Sequence, residues 1–170
     1  SAVNGSGAAP RALTLERFAG CSELPARSPL SITVPGCVAA WEEASYGWGR
    51  LEWEELLAPA RRLAEEGFPV SWRLAQVLRR ERAILAADAG LSGLFLDGSG
   101  APLAAGALCR PRSLALTLAT LAEEGAESLY RGALAARLVR GLREAGGVLS
   151  AEDLAAHESY LRAPIELTIL

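Results

Sequence analysis

The chain has 170 residues, of which 51% are hydrophobic and 22% charged, a composition that excludes a disordered segment and suits one packed domain. The net charge is −3, and all 17 basic residues are arginines that form no basic stripe, so nucleic acid is not expected as a partner. The sequence has neither a run of about eighteen apolar residues nor the charged start of a signal peptide, so no membrane contact is expected from this segment.

The first part of the chain, residues 1–34, predicts strands and turns. Residues 1–11, SAVNGSGAAPR, are typical of a strand end that runs into an exposed turn. A weak helix follows over 13–18, and glycine and prolines predict a loop over 19–29. The β-branched residues that close 30–34 predict a short strand.

Two helices are predicted next. Pro35 suits the first turn of a helix that runs to about Ser45, because the missing N–H of proline costs nothing there. A second helix is predicted over 52–66, with Gly67 as its left-handed cap. Pro59 lies inside that second helix and predicts a break or kink into two shorter pieces.

A third helix is predicted from Ser71, a suitable N-cap, to about Ala87. Its spacing predicts one apolar stripe that consists of Leu74, Val77, Leu78 and Leu85. An Asp-Gly turn within 95–102 then predicts little regular structure.

The C-terminal part predicts helices over 111–124 and 133–145, each followed by glycine. Ser150 and Asp153 form an approximate capping box that opens a short helix to about His157. The apolar residues of 163–170 predict a closing strand.

The predicted fold is therefore mainly α, with a cluster of six or seven helices and short strands at the ends. The corresponding division is an entry segment over 1–34, a helical domain over 35–162 and a returning strand over 163–170.

Few residues of the sequence point to catalysis or metal binding. Cys21, Cys37 and Cys109 are too widely spaced for a paired-cysteine motif and read as free thiols. His157 is the single histidine, so a two-histidine zinc site is excluded. Its place at the end of a short polar helix predicts either a solvated ring or a ring that interacts with the C-terminal dipole of the helix. Ser1 has no partner residues that would make it a nucleophile. No metal, cofactor or catalytic residue is therefore predicted within the chain.

Several blocks, in one order, resemble the gamma-glutamyltransferase family, also called gamma-glutamyltranspeptidase or glutathione hydrolase. They cover nearly the whole chain, and the sequence is identified as a divergent member. The blocks are residues 30–70 around Val-Pro-Gly, 95–98 (FLDG), 125–132 (GAESLYRG), 146–154 (GGVLSAEDL) and 164–165 (PI).

The resemblance implies an N-terminal-nucleophile hydrolase with an αββα core, made as a precursor that cleaves itself. A threonine freed at the start of the small subunit would attack the gamma-glutamyl amide of glutathione or a related compound and form an acyl-enzyme. This chain is similar to the helical part of the large subunit, so that threonine is expected beyond Leu170 and the isolated segment is expected to be inactive. The implied partners are the remainder of the large subunit, the small catalytic subunit and gamma-glutamyl compounds, with no cofactor. An extracytoplasmic location is favoured by the family, with a cytoplasmic one left open.

One family feature is missing from the sequence. The resemblance implies an arginine just before an Ala-Pro pair that holds the alpha-carboxylate of the glutamyl group, a task that suits a planar guanidinium. Ser6 or Ala8, depending on alignment, stands in that place, and Arg11 lies after the proline as a weak substitute. The loss puts glutathione specificity in question and leaves open a second hypothesis, a catalytically inactive relative that serves as a structural or interaction module. An unrelated helical bundle is a third alternative.

Overall fold

The computed structural model describes residues 1–23 and 26–167, and it is mainly helical, which confirms the predicted fold class. These residues form nine α-helices, more than predicted because several are short. The helices are α1 (Cys37–Trp48), α2 (Trp53–Glu66), α3 (Trp72–Arg80), α4 (Arg82–Ala87), α5 (Ala89–Phe95), α6 (Arg112–Glu124), α7 (Glu127–Tyr130), α8 (Ala133–Glu144) and α9 (Ala151–Ala155). Within the described residues, no helix has both the length and the apolar character that crossing a membrane requires.

Four short strands form two antiparallel pairs. Strand β1 (Ala2–Asn4) pairs with β4 (Tyr160–Arg162), and β2 (Phe68–Pro69) pairs with β3 (Leu108–Cys109). Two 3-10 helices, Leu15–Phe18 and Pro29–Ser31, complete the regular structure of the described residues.

The backbone divides into two compact units. The first consists of Ser1–Glu54 and Thr120–Leu170, and the second of Glu55–Ala119. The second unit has a core of Val70, Ala75, Leu78, Leu85 and Cys109. Buried side chains of the first unit include Val34, Val38, Tyr130, Leu134, Leu149 and Leu154. The three-part division taken from the sequence stays a prediction.

Local signals fixed several helix ends as predicted. The hydroxyl of Ser71 accepts a hydrogen bond from the amide of Leu74, which caps α3. Ser150 and Asp153 form a complete capping box at α9. Gly67, which follows α2, has φ of +92°, a conformation that favours glycine.

The predicted break at Pro59 is wrong, because α2 runs continuously from Trp53 to Glu66. Proline removes one backbone hydrogen bond from the helix. Leu57 and Ala64 are buried on either side of it, so packing stabilises the helix on both sides of the proline.

The predicted strand over 30–34 is also wrong. The chain forms a 3-10 turn at Pro29–Ser31, where the hydroxyl of Ser28 accepts a hydrogen bond from the amide of Leu30. Ile32 is extended, but residues 32–34 belong to no strand. A proline and a capping serine outweigh the β-propensity of the residues that follow, since that propensity depends on a pairing strand.

The helix predicted from Ser71 to Ala87 is divided at Glu81. Glu81 has φ of −95° and ψ of 14°, which ends α3 and begins α4. Leu78 and Leu85 are buried as predicted, but Val77 is exposed because α3 turns Ala75 and Leu78 towards the core.

The closing strand lies earlier than predicted. Residues 160–162 pair with β1, whereas 163–167 form no strand and Ile165 is fully exposed. Because β1 has only three residues, it offers hydrogen bonds to three residues of its partner. The rest of the predicted strand, 168–170, lies outside the described residues.

Candidate functional site

The first unit contains a groove of about 490 Å³ between its N-terminal segment and the end of α9. One wall comes from the turn that follows β1 and the other from the residues between α9 and β4. The groove is lined by Ser6, Gly7, Ala8, Ala9, Arg11, Val34, Asp153, Ala156, His157, Glu158 and Tyr160.

The N-terminal wall is held by close backbone packing. The amide of Val34 donates a hydrogen bond to the carbonyl oxygen of Ala8 at 3.0 Å, and the amide of Ser6 donates to Asn4 Oδ1 at 2.9 Å. A Cβ on Gly7 would lie 1.7 Å from the Val34 carbonyl oxygen, so no other residue fits there without moving the backbone. The Asn-Gly-Ser-Gly sequence therefore lets this wall lie directly against residues 34–36.

Asp153 ties the two walls together. Its Oδ1 accepts a hydrogen bond from the amide of Arg11 at 3.1 Å, and its Oδ2 accepts from the amide and hydroxyl of Ser150 at 3.0 and 2.9 Å. Burial by itself would raise the pKa of Asp153, but these hydrogen bonds and the nearby charge of Arg11 outweigh it and lower the pKa below its ordinary value. Asp153 is thus a buried carboxylate that anchors Arg11 beside the groove.

His157 lies just after the end of α9 and its ring is half-buried, so the solvated alternative is wrong and the histidine at a helix C-terminus remains. Its ring stacks on Tyr130 with a centroid distance of 5.3 Å and an interplanar angle of 19°. Tyr130 is only 5% exposed, and its hydroxyl donates to the Pro35 carbonyl oxygen at 2.9 Å and accepts from the Ala39 amide at 3.0 Å. No local pattern predicts that a tyrosine joins the start of α1 to the end of α9, because these residues are far apart along the chain.

All three positions discussed for carboxylate binding line the groove. Ser6 and Ala8 are exposed on its N-terminal wall, and neither can supply a charge. Arg11 lines the same groove and is the one arginine among its lining residues. The structure therefore brings Ser6, Ala8 and Arg11 together at one groove.

The groove has the chemistry of a binding surface. It offers one guanidinium, the carboxylates of Asp153 and Glu158, and polar backbone groups. Across the described ranges, no three histidine, cysteine or acidic side chains come together in a way that could hold a metal ion. Cys21 and Cys37 are exposed and Cys109 is buried, and all three are free thiols.

Comparison with known proteins shows which family this architecture belongs to. The family model described as gamma-glutamyltranspeptidase matches residues 1–170. Glutathione hydrolase 2 of Arabidopsis thaliana is 35% identical over 162 residues, which cover 95% of this chain and 28% of the plant protein.

Two solved structures share the fold. Gamma-glutamyltranspeptidase of Helicobacter pylori aligns with a TM-score of 0.89 and 27% identity, over 96% of this chain and 48% of that one. A cephalosporin acylase from Bacillus halodurans aligns with a TM-score of 0.87 and 34% identity, over 98% of this chain and 32% of that one.

The mainly helical fold is thus the one found in N-terminal-nucleophile hydrolases. The chain belongs to the gamma-glutamyltranspeptidase family. It spans less than a third of the length of the plant relative, so the match that shows the family covers only part of that relative.

Proposed function

We propose that this chain is the helical large-subunit domain of a protein that cleaves or transfers the gamma-glutamyl group of glutathione and related amides. The acyl-enzyme would form on a threonine outside the chain, and the small subunit that carries this threonine would be the partner. Family membership over the whole chain is the observation that carries the proposal.

Arg11 has the role of carboxylate-binding residue in this proposal. Its backbone is fixed by Asp153, and it is the one arginine among the residues that line the groove. A guanidinium binds a carboxylate through two parallel hydrogen bonds, and Ser6 and Ala8 cannot do so. The departure at Ser6 and Ala8 is therefore compensated, in this proposal, from the other side of Pro10.

The test uses the full-length protein with a chromogenic gamma-glutamyl anilide, with and without an acceptor dipeptide. Turnover is expected in the wild type and none when the first threonine of the small subunit is replaced by alanine. Arg11→Ala should raise KM roughly 10- to 100-fold, since a hydrogen bond to a charged group contributes about 1.5–3 kcal/mol. Arg17→Ala is the matched control, because Arg17 is an exposed arginine outside the groove whose Nε donates to the Ala12 carbonyl oxygen.

Loss of the family arginine favours a second candidate, an inactive relative that keeps the fold as an interaction module. A cephalosporin amide is included in the substrate panel because a structural neighbour is a cephalosporin acylase. The inactive relative would be supported by a folded, correctly cleaved protein that turns over neither substrate. Ala8→Arg then gives a gain-of-function arm, since turnover of the gamma-glutamyl anilide only in that variant would show that the missing cation is what was lost.

A further inference from the structure

We propose that His157 is a positioning residue: its imidazole ring packs over Gly36 and thereby holds the N-terminal wall of the groove, Asn4–Arg11, in place. The consequence for substrate binding rests on the proposed function. The consequence for the order of the wall does not.

The ring of His157 is placed by a side chain that is itself fixed. Tyr130, on which His157 stacks, has its hydroxyl held by Pro35 and Ala39 at the start of α1. The amide of His157 donates to the Leu154 carbonyl oxygen at 3.0 Å, which fixes the backbone at the end of α9. Neither the ring nor its backbone can therefore shift without breaking these contacts.

Gly36 is the point at which the ring meets the N-terminal wall. A Cβ built on Gly36 would lie 1.8 Å from the Gly5 carbonyl oxygen and 2.6 Å from both Cε1 and Nε2 of His157. The backbone of Gly5 and the ring of His157 thus converge on the same small volume over Gly36. Gly5 has no spare room either, since a Cβ there would lie 2.7 Å from the carbonyl oxygen of Gly36.

The contact over Gly36 depends on the shape of the ring and not on a hydrogen bond from Nε2. Nε2 of His157 is buried and has no hydrogen-bond partner among the described residues. A buried polar atom without a partner contributes nothing favourable to the packing around it. An aromatic ring without nitrogens would therefore hold the wall equally well.

The wall that this contact holds is the one that carries Ser6, Ala8 and Arg11. His157 also lines the groove directly. Without the ring, the space over Gly36 opens and the Gly5–Ala8 backbone loses one of its neighbours. Substrate binding should weaken, whereas the chemical step, on a threonine outside this chain, should not change.

The experiment compares His157→Phe, which keeps the ring, with His157→Asn, which keeps a polar nitrogen and removes the ring, in the full-length protein. His157→Asn should increase deuterium uptake in peptides covering residues 4–11, and His157→Phe should match the wild type. With the gamma-glutamyl anilide, His157→Asn should raise KM roughly 5- to 20-fold and keep kcat within about twofold of the wild type. His157→Phe should keep both KM and kcat within about twofold of the wild type. Leu15→Ala is the control, because Leu15 is 87% exposed and lies in the same unit.

The proposal is overturned if His157→Asn shows the deuterium uptake of the wild type, whatever His157→Phe shows. It is also overturned if His157→Asn lowers kcat and leaves KM unchanged, because that result would give His157 a part in the chemical step. If the wild type turns over no gamma-glutamyl substrate, the proposed function fails, but the exchange comparison still decides whether His157 orders the wall.

Discussion

The hydroxyl of Tyr130 connects the start of α1 with the end of α7 through two hydrogen bonds, one donated and one accepted. Tyr130→Phe keeps the ring that stacks on His157 but leaves the Ala39 amide and the Pro35 carbonyl without their shared partner. The free energy of unfolding should fall by about 1–3 kcal/mol, the usual cost of an unsatisfied buried polar group.

The measurement for Tyr130→Phe is urea unfolding followed by tryptophan fluorescence. Tyr160→Phe is the matched control, because the Tyr160 hydroxyl accepts an exposed hydrogen bond from Asn4 Nδ2 and should be nearly neutral when removed. Equal losses in the two variants would contradict a special role for the Tyr130 hydroxyl.

Asp153 should make stability depend on pH in the acid range. Its pKa is lowered in the folded state, so its contribution is fully present above the unfolded-state pKa of about 3.9 and is lost as pH falls through the lower folded value. Asp153→Asn should lower the free energy of unfolding by about 1 kcal/mol at neutral pH, as for other lost caps. The difference from the wild type should shrink below about pH 4.

Thermal unfolding between mildly acidic and strongly acidic pH checks this dependence. Glu158→Gln removes one negative charge from a residue that follows α9 and removes no capping hydrogen bond, so it controls for net charge. A constant offset between Asp153→Asn and the wild type at every pH would show that the carboxylate is not the responsible group.

At the scale of elements, the end of α2 is governed by Gly67. Its φ of +92° is strained for any other residue, and a Cβ there would also lie 2.6 Å from Cγ of Arg110 and 3.1 Å from the Cys109 carbonyl oxygen. Gly67→Ala should therefore lower the free energy of unfolding by more than the roughly 1 kcal/mol that the backbone conformation alone costs.

Gly20→Ala separates the two causes for Gly67. Gly20 has a similar φ of +85°, and nothing lies within 4 Å of the place where its Cβ would be. Chemical denaturation of both variants is expected to show the larger loss for Gly67→Ala. A larger loss for Gly20→Ala would show that the contact with β3 is unimportant.

Elements with strong local signals were predicted well from the sequence. The serine caps of α3 and α9 and the glycine that follows α2 fixed those boundaries, because each acts on backbone groups a few residues away. The predicted break at Pro59 and the predicted continuity of the helix from Ser71 to Ala87 were wrong for the opposite reason. Whether a helix continues through a proline, or ends at Glu81, depends on what the residues on either side pack against.

At the scale of the whole molecule, the three thiols differ in how deeply each is buried within its own unit. Cys109 is 1% exposed and burial raises its pKa, whereas Cys21 and Cys37 are exposed. In the native 170-residue chain, a chromogenic disulfide reagent should modify two thiols rapidly and the third at least about tenfold more slowly.

Cys109→Ala should remove the slow phase of this reaction and leave the fast phase unchanged. Unfolding in denaturant should make all three thiols of the wild type react in one fast phase. A native chain whose three thiols react at one rate would contradict the packed core of the second unit.

The sequence by itself determined the family, the mainly helical class and most helix positions, because these follow from residue identity and from short-range hydrogen bonding. Only the tertiary structure decided that Arg11 lines the groove, that Asp153 ties it there and that His157 stacks on Tyr130 over Gly36. These contacts join residues that are up to 142 positions apart in sequence, as for Arg11 and Asp153. No local pattern encodes such pairs, because they form only when packing brings distant segments of the chain to the same place.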